Sequence, residues 1–341
     1  MGDKIRFVVI GSGRIGKRHA MMIQQHPDAE LVAMVDILPK ENLEIDEFKV
    51  PYFNSVENFI DSNIDFDIAN ICTPNGLHAV QSIQFLEQNK HVLCEKPMGL
   101  SKDSCEKVIF KSLQMSKHVF CVMQNRYSPP SVWIKSVITQ KLLGEIFMVQ
   151  LNCYWNRDNR YYTKGGWKGT QAMDGGTLFT QFSHFIDIMY WLFGDIKNIQ
   201  GKFANFIHQD SIEFEDSGFV SFDFVQGGMG SINYSTAVAT QNFESSITII
   251  GEKGSVKIGG QYMNEVEFCN IENYKMPELA PTNPGNDYGG FKGSAANHQY
   301  VIQNVIETLR GQNTATTNAL EGMKVVEIIE RIYAVRDKQG Y

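Results

Sequence analysis

Residues 4–36, KIRFVVIGSGRIGKRHAMMIQQHPDAELVAMVD, decide the fold of the first part of the chain. Residues 5–10 form a short, β-branched apolar run, which is typical of a buried parallel strand. Glycines at 11, 13 and 16 follow at once and spell G-x-G-x-x-G before a helical pattern. A second apolar run, 31–35, ends in Asp36. Strand, glycine turn, helix, strand and terminal acid together predict a dinucleotide-binding βαβ unit.

Each glycine of this turn has a separate predicted role. Gly11 permits the tight turn, Gly13 lets the backbone approach a pyrophosphate, and Gly16 lets the helix pack closely on the strand. The helix N-terminus offers N–H groups and positive dipole to the phosphates. Asp36 suits the ribose hydroxyls and repels a 2′-phosphate, so NAD is predicted over NADP. The predicted pyrophosphate-binding residues are Gly11, Ser12, Gly13, Arg14, Ile15 and Gly16.

Composition places the chain among ordinary globular proteins. It has 341 residues, 43% of them hydrophobic and 20% charged, which is enough for two domains. The net charge of −7 argues against a nucleic-acid partner. With no 18-residue apolar run and a first strand starting by residue 5, neither a membrane span nor a signal peptide is expected.

The six cysteines are scattered, with no CxxC pair and no metal-ligand spacing. This usage predicts no metal site and favours a reducing, cytoplasmic location. Four of the cysteines lie inside apolar runs, where a small buried hydrophobe is the expected role. They are Cys72, Cys94, Cys121 and Cys153.

Strands and helices continue to alternate as far as residue 124, which predicts a parallel sheet. Polar clusters at 73–75, 95–97 and 124–127 each follow a predicted strand, at 66–72, 91–94 and 118–124. In parallel sheets, ligands bind beyond the carboxyl ends of the strands. We therefore expect these clusters to converge on a ligand.

The pattern changes after residue 124. A long β-run at 145–155, an apolar helix at 175–193 and further β-runs with glycine turns predict an α+β domain built on a large, open, mostly antiparallel sheet. The predicted division is therefore 1–124, a Rossmann domain, and 125–341, a substrate-binding and oligomerisation domain whose C-terminal helix can pack back on the first. An open sheet with an uncovered face predicts self-association. Residues 276–297 are predicted to be an irregular loop.

Motifs along essentially the whole chain resemble the glucose–fructose oxidoreductase / inositol dehydrogenase / MocA-type family of NAD(P)-dependent oxidoreductases. They are GSGRIG at 11–16, CTPN at 72–75 with His78, EKP at 95–97 and DGGTLFTQFSHFID at 174–187. Within the family the chain is most similar to the UDP-N-acetyl-2-amino-2-deoxyglucuronate dehydrogenases, the 3-oxidising enzymes of diacetamido-sugar biosynthesis. That closer resemblance rests on QNRY at 124–127, GWKGT at 166–170, TQFSH at 180–184 and ITIIGEKGSVKIGG at 247–260.

The resemblance implies cofactor contacts and an assembly. It places a second set of residues on the nicotinamide side: Cys72, Thr73, Pro74, Asn75, His78, Glu95, Lys96 and Asn125. It also puts Trp167 and Lys168 near the cofactor. A homotetramer is implied.

Lys96 and His184 are the predicted catalytic residues. Lys96 sits at a strand end beside Pro97, where an ammonium can stabilise the alkoxide formed as hydride leaves; the alternative is a solvated surface lysine. His184 can accept the hydroxyl proton; the alternative is a satisfied core histidine on an apolar helix. The resembled family uses the lysine of EKP in catalysis, which favours the catalytic role for Lys96.

The chain departs from the family pattern at Thr180. Most members carry aspartate four residues before the histidine, so an Asp–His base pair is not expected here. His184 then acts with Lys96, or Thr180 positions a substrate hydroxyl. This departure disfavours simple inositol- or glucose-type substrates and fits the sugar-nucleotide subgroup.

Residues 154–170, YWNRDNRYYTKGGWKGT, alternate cations with aromatic residues. Arg157, Arg160, Lys164 and Lys168 suit carboxylate or phosphate oxygens, and aromatic faces suit a sugar ring or uracil. The alternative is a subunit-contact loop. The predicted substrate-binding residues are Lys96, Arg126, Tyr127, Trp155, Arg157, Arg160, Tyr161, Tyr162, Asp174, Thr180 and His184.

The leading hypothesis is therefore an NAD-dependent dehydrogenase that oxidises the 3-hydroxyl of UDP-N-acetyl-2-amino-2-deoxy-D-glucuronate. One alternative is a dehydrogenase of a free sugar or cyclitol. The other is a non-catalytic NAD-binding sensor, which would have no need for both Lys96 and His184.

Overall fold

The computed structural model describes residues 3–163, 165–287 and 290–340. The chain divides into two compact units, 1–123 with 298–326 and 124–297 with 327–341. The sequence division at 124/125 leaves both C-terminal helices in the second domain. In the structure, the helix that begins at His298 belongs to the first unit.

Eight α-helices and fifteen strands are defined within the described residues, besides short 3-10 and π-helical turns. The helices are α1 Arg14–Gln25, α2 Val56–Asp61, α3 His78–Glu87, α4 Lys102–Met115, α5 Pro129–Thr139, α6 Ser183–Phe193, α7 His298–Leu309 and α8 Ala319–Asp337. The strands are β1 Ile5–Ile10, β2 Ala29–Val35, β3 Tyr52–Phe53, β4 Ile68–Ile71, β5 His91–Cys94, β6 Val119–Cys121, β7 Ile146–Tyr154, β8 Ile196–Ala204, β9 Ser217–Phe224, β10 Met229–Ser235, β11 Glu244–Gly251, β12 Gly254–Gly259, β13 Glu265–Ile271, β14 Gly285–Asp287 and β15 Lys292–Ala295.

The first unit is built on a six-stranded sheet in the order β3-β2-β1-β4-β5-β6. Every pairing in it is parallel. All four residues of β4 are buried, as expected for a sheet covered by helices on both faces. This is the doubly wound dinucleotide-binding arrangement, and it confirms the predicted Rossmann domain.

The second unit is built on a seven-stranded sheet in the order β13-β12-β11-β7-β10-β9-β8. Strands β7 and β10 pair in parallel, and the other pairings are antiparallel. The predicted large, mostly antiparallel sheet is confirmed. The short hairpin β14–β15 was not expected, because residues 276–297 carry prolines and glycines without any strand periodicity.

The predicted helix 175–193 starts later than the pattern indicates. A π-helical turn spans Leu178–Phe182, and α6 follows it. Gly175 and Gly176 have φ values of 86° and 136°, which bar a regular helical start. A Cβ on Gly176 would lie 2.5 Å from the Tyr333 hydroxyl, so only glycine fits there.

One face of the second sheet exposes large apolar side chains. Met229 pairs with Met148, and Met148 pairs with Ile250, so three neighbouring strands carry a continuous apolar row. These side chains are 55%, 43% and 40% exposed. Across the described part of the chain, no helix combines the length and apolar character needed to cross a membrane.

Candidate active site

The turn between β1 and α1 has the shape that a pyrophosphate requires. Gly11 has a φ of 90°, and a Cβ there would lie 2.7 Å from the carbonyl carbon of Cys72. A methyl on Gly16 would overlap the carbonyl oxygen of Gly11. A Cβ on Gly13 would meet no atom within 4 Å. Two glycines are therefore required by close packing, and the third leaves open space at the start of α1, where a phosphate can approach.

Asp36, directly after β2, lies beside the same glycine turn. One carboxylate oxygen accepts a hydrogen bond from the backbone N–H of Ser12 at 2.7 Å, and the other accepts from that of Leu38 at 3.0 Å. The Ser12 hydroxyl donates to the carbonyl oxygen of Val35 at 3.2 Å. The negative charge is thus held beside the glycine turn. These residues fit a dinucleotide whose ribose carries free hydroxyls.

His78 ties together two of the strand-end segments predicted to bind the cofactor. Its Nδ1 lies 2.6 Å from the carbonyl oxygen of Pro97, and its Nε2 lies 2.8 Å from that of Thr73. Burial lowers the pKa of His78 despite these two carbonyls, so the neutral ring donates to one of them at a time. The Thr73 hydroxyl donates to the side-chain oxygen of Gln81 at 2.6 Å. His78 and Gln81 therefore fix the segments that hold Asn75 and Lys96.

Glu95 and Lys96 directly follow β5. Glu95 is buried, and its Oε1 lies 2.7 Å from Nε2 of His19. Its Oε2 accepts the backbone N–H of Lys96 at 3.1 Å. Burial raises the pKa of Glu95, but the hydrogen bond from His19, together with the charge of Lys96, outweighs burial and lowers the pKa to about 2. The carboxylate is therefore ionised, and Lys96 begins from a rigid segment.

His184 lies at the start of α6, in the second unit, and is 3% exposed. The side-chain amide of Gln124 donates to its Nε2 at 3.1 Å, and the same amide nitrogen donates to the hydroxyl of Ser294 at 3.2 Å. In this arrangement Nε2 carries a lone pair, as a general base requires. Asn125, next in the chain, is buried, and neither its side-chain nitrogen nor its oxygen has a hydrogen-bond partner within the described residues.

Thr180 is partnered by the aspartate of the Asp174-Gly175-Gly176 segment. Its hydroxyl donates to Oδ1 of Asp174, whose Oδ2 accepts the backbone N–H of Gly169 at 2.7 Å. Position 180, where most of the family has an aspartate, thus carries a threonine hydroxyl that is hydrogen-bonded to the carboxylate of Asp174. Asp174 also joins the end of the loop 154–170 to the π-helical turn.

Arg126 and Asp187 form a buried ion pair in the second unit. The guanidinium Nε and Nη2 lie 2.8 and 2.6 Å from the two carboxylate oxygens, and both side chains are fully buried. Removal of one partner from such a pair costs about 3–5 kcal/mol. The pair fixes α6, and so His184, against the segment 124–127. The predicted substrate contacts of Arg126 and Tyr127 stay predictions.

Arg157, predicted to bind substrate, is 2% exposed. It donates to the side-chain oxygen of Gln181 at 2.7 Å and to the carbonyl oxygens of Asn156 and Lys292 at 2.6 and 3.2 Å. Its guanidinium lies 4.7 Å from the ring centre of Trp155. These contacts make Arg157 part of the packed interior of the second unit.

The aromatic residues of the loop are buried as well. Tyr161 and Tyr162 pack with Ile212 and Phe214 in one apolar cluster. The indole N–H of Trp155 donates to the hydroxyl of Ser245 at 2.7 Å. These rings form a local core, so the ring faces that the sequence offers to a sugar or uracil are largely covered by the chain itself.

The remaining cations of the loop differ in exposure. Arg160 is well exposed and pairs with Asp158 at 2.6 Å. The Lys168 ammonium lies 3.8 Å from the ring centre of Tyr161, beside the half-buried Trp167. Lys164 lies outside the described residues. Arg160 and Lys168 are thus the loop cations best placed to meet an anion.

The sequence analysis gives no role to His19, Ser294 or His298, and it includes Gln124 only as a member of the 124–127 cluster. Gln124 belongs to a polar cluster at a strand end, which could have singled it out. His19 lies on the helix after the glycine turn, where it reads as one polar residue among many. The four predicted buried cysteines are confirmed.

Two family profiles match the chain. One, described as "Oxidoreductase family, NAD-binding Rossmann fold", matches residues 5–122. The other, "GFO/IDH/MocA C-terminal domain", matches residues 132–257.

Solved structures and a curated relative resemble nearly the full chain. The WlbA dehydrogenase from Bordetella pertussis, in complex with NADH and UDP-GlcNAcA, is 32% identical, with a TM-score of 0.87 and coverage of 98% of this chain and 97% of that one. The WlbA dehydrogenase from Chromobacterium violaceum, also with NADH and UDP-GlcNAcA, is 32% identical, with a TM-score of 0.88 and coverage of 99% and 95%. Inositol 2-dehydrogenase from Rhizobium meliloti is 26% identical over 81% of this chain and 82% of its own.

Proposed function

Because the chain belongs to the Gfo/Idh/MocA family of NAD-dependent oxidoreductases, we propose that it oxidises the 3-hydroxyl of UDP-N-acetyl-2-amino-2-deoxy-D-glucuronate (UDP-GlcNAcA) to a ketone. The family makes it an NAD-dependent dehydrogenase of sugar hydroxyls. The observation that carries the choice of substrate is the full-length likeness, at 32% identity, to two dehydrogenases solved with NADH and UDP-GlcNAcA.

NAD, when bound, supplies the hydride acceptor. The open space at Gly13 and the N–H groups of the first turn of α1 hold its pyrophosphate, and Asp36 holds its adenosine ribose. Thr73, Asn75 and Glu95 are proposed for the nicotinamide side.

Lys96 is proposed to stabilise the reacting oxygen. An ammonium that donates to the substrate hydroxyl lowers the energy of the alkoxide character that develops as the hydride leaves. Such a group has to be held in place before the reaction to be effective. The hydrogen bond from the Lys96 backbone to Glu95 supplies part of that order.

His184 is proposed to take the hydroxyl proton. Its Nε2 accepts a hydrogen bond from Gln124, so a substrate hydroxyl that displaces this amide would find the lone pair already exposed. When the substrate hydroxyl takes the place of the Gln124 amide, that amide keeps its hydrogen bond to the Ser294 hydroxyl.

Thr180 and Asp174 distinguish this proposal from the cyclitol and free-sugar alternatives. A bare carboxylate at position 180 would accept two hydrogen bonds from a polyol, whereas the Thr180 hydroxyl is already donated to Asp174. Thr180 can then only accept a hydrogen bond from substrate. The exposed Arg160 and the half-buried Lys168 suit the carboxylate or diphosphate of a sugar nucleotide.

The test is an assay with a panel of substrates, in which the absorbance of reduced nicotinamide measures turnover. UDP-GlcNAcA, UDP-N-acetylglucosamine, glucose and myo-inositol are each offered with NAD. We expect turnover of UDP-GlcNAcA, abolished in Lys96→Ala and kept in Lys107→Ala, a matched change of an exposed lysine paired with Asp103. Turnover of the free polyols alone would refute the substrate. Tight NAD binding without turnover of any compound would favour the sensor.

A homotetramer is proposed for the assembly. The row Met148, Met229 and Ile250 gives the physical motive, because a continuous apolar strip on an open sheet is stabilised when a second copy covers it. Light scattering should give the mass of four chains, and Met229→Glu should lower it. Leu113→Glu, at a 73% exposed position on α4, is the control. A monomeric mass for the unmodified chain would contradict the proposal.

A further inference from the structure

The first unit contains a buried group of three titratable side chains outside the residues that bind the cofactor phosphates. They are His19 on α1, Glu95 after β5 and His298 at the start of α7, with exposures of 0%, 6% and 2%. The Nε2 atoms of His19 and His298 lie 2.7 and 3.7 Å from Oε1 of Glu95, and the two rings meet edge to face at 5.2 Å. Three such groups are costly to bury without a function or a firm partner.

Glu95 connects this group to Lys96. One oxygen is bonded to His19 and the other to the backbone N–H of Lys96. An ionised carboxylate only accepts hydrogen bonds, so His19 has to donate from Nε2. Its Nδ1 has no hydrogen-bond partner among residues 3–163, 165–287 and 290–340, so the bond to Glu95 alone sets the tautomer.

The distances indicate a hydrogen bond in preference to a metal site. Two ligands of a tetrahedral zinc ion, each about 2.0–2.1 Å from it, lie roughly 3.3 Å apart. The His19 and Glu95 atoms are 2.7 Å apart, which is the length of a charge-assisted N–H···O bond. His298 then serves as a neighbour that covers the pair.

We propose that His19 is a positioning residue, which holds the Glu95 carboxylate and through it the segment that carries Lys96. This inference rests on the catalytic role proposed for Lys96. Because His19 is on the helix that begins at the glycine turn, the same bond links the phosphate end of the cofactor pocket to the reacting end. Removal of the bond would let Glu95 turn away and Lys96 drift from its position.

The variants that test this are His19→Leu, which removes the donor, and His19→Gln, whose amide nitrogen can replace Nε2. With any sugar that the unmodified enzyme oxidises, we expect His19→Leu to lower kcat by roughly 10²-fold, the effect of a catalytic group misplaced by about 1 Å. KM for the sugar should change little, and His19→Gln should recover most of the loss. NAD affinity and the thermal midpoint report whether each variant is folded.

A pH profile separates positioning from simple packing. The groups facing Glu95 are His19, His78, Lys96, His298 and the thiols of Cys72 and Cys94. Without His19, burial raises the pKa of Glu95. The fall of kcat that protonation of Glu95 causes, below the one caused by protonation of His184, should therefore lie at a higher pH in His19→Leu than in the unmodified enzyme. His19→Gln should resemble the unmodified enzyme.

The outcomes are distinct. If Lys96→Ala keeps its turnover, the catalytic role of Lys96 fails. If Lys96→Ala is inactive and folded His19→Leu keeps the kcat and pH profile of the unmodified enzyme, the positioning role fails alone. One equivalent of zinc in the purified enzyme, measured by mass spectrometry and lost in His19→Leu, would overturn it in favour of a metal site.

Discussion

The side-chain amide of Gln124 lies 3.1 Å from Nε2 of His184, and both residues are buried in the second unit. Because an amide nitrogen only donates, Nε2 of His184 accepts this hydrogen bond through its lone pair. A base with an available lone pair can accept a proton from a substrate hydroxyl.

His184→Ala should lower kcat by roughly 10²–10⁴-fold, as expected for loss of a general base, and leave KM for the sugar less affected. The fall of kcat on acidification that protonation of His184 causes should disappear in the variant. Steady-state kinetics across pH 6–9 measure both effects. Unchanged turnover over that range would return His184 to the core.

The glycine turn offers a matched pair of variants. Gly13→Ala adds a methyl to open space, and the φ of −69° at Gly13 suits alanine, so the fold should keep its thermal midpoint. The methyl would occupy room needed by the pyrophosphate, so NAD affinity should fall at least tenfold. Gly16→Ala should lower the midpoint itself, because its methyl overlaps the carbonyl of Gly11.

Calorimetric titration with NAD and a thermal melt distinguish the two variants. If Gly13→Ala binds NAD as tightly as the unmodified chain, the pyrophosphate does not approach this position.

Arg157 and Arg160 should behave differently, although the sequence predicts a substrate contact for both. Arg157→Met removes hydrogen bonds from buried acceptors on Asn156 and Gln181, which costs about 1–3 kcal/mol for each acceptor left without a partner. Its urea midpoint should therefore fall. Arg160→Ala should keep the midpoint and raise KM for an anionic sugar, because an exposed attraction is lost.

Salt provides the control for the Arg160 effect. Exposed charges are screened over about 8 Å near physiological ionic strength, so added salt should raise KM of the unmodified enzyme and change that of Arg160→Ala less. If salt raises KM equally in the unmodified enzyme and in Arg160→Ala, Arg160 does not contact the substrate.

Acid should destabilise the fold through His298 and Glu95. Burial, with His19 nearby, lowers the pKa of His298 from 6.5 to about 3, and the pKa of Glu95 falls from 4.5 to about 2. In each case the unfolded chain binds the proton at a higher pH than the folded chain. The contribution of these two groups to the free energy of unfolding is therefore complete above pH 6.5. It is lost as the pH falls toward about 3, the pKa of His298, and then toward about 2, the pKa of Glu95.

Urea midpoints measured from pH 7 to 4.5 report the buried histidines, because Glu95 contributes little in that range. His298 shares the decline with His78 and His91, whose pKa values burial also lowers. His298→Gln should flatten the decline, whereas His26→Gln, which removes a half-buried histidine on the same unit, should not. An equally steep decline in His298→Gln would exclude His298 as the source.

The sequence predicts those features that depend on residues adjacent in the chain. The run before Gly11, the glycine spacing and Asp36 predict the parallel sheet and the NAD site, because strand, turn and helix are adjacent in the chain. The bond between His19 and Glu95 and the cover by His298 depend on three segments far apart, and no periodicity reports them. Arg157 is similar: cations among aromatic residues have the same pattern whether they face solvent or form a buried cluster, and only the tertiary packing decides.

The site of oxidation can be read directly by isotope transfer. UDP-GlcNAcA carrying deuterium at C3 is incubated with NAD and the enzyme, and the reduced cofactor is analysed by mass spectrometry, with substrate deuterated at C4 as the control. Oxidation of the 3-hydroxyl predicts deuterium in the reduced nicotinamide from the C3 label only. Reduced cofactor without deuterium from the C3-labelled sugar, or no reduction at all while NAD binds, would contradict it.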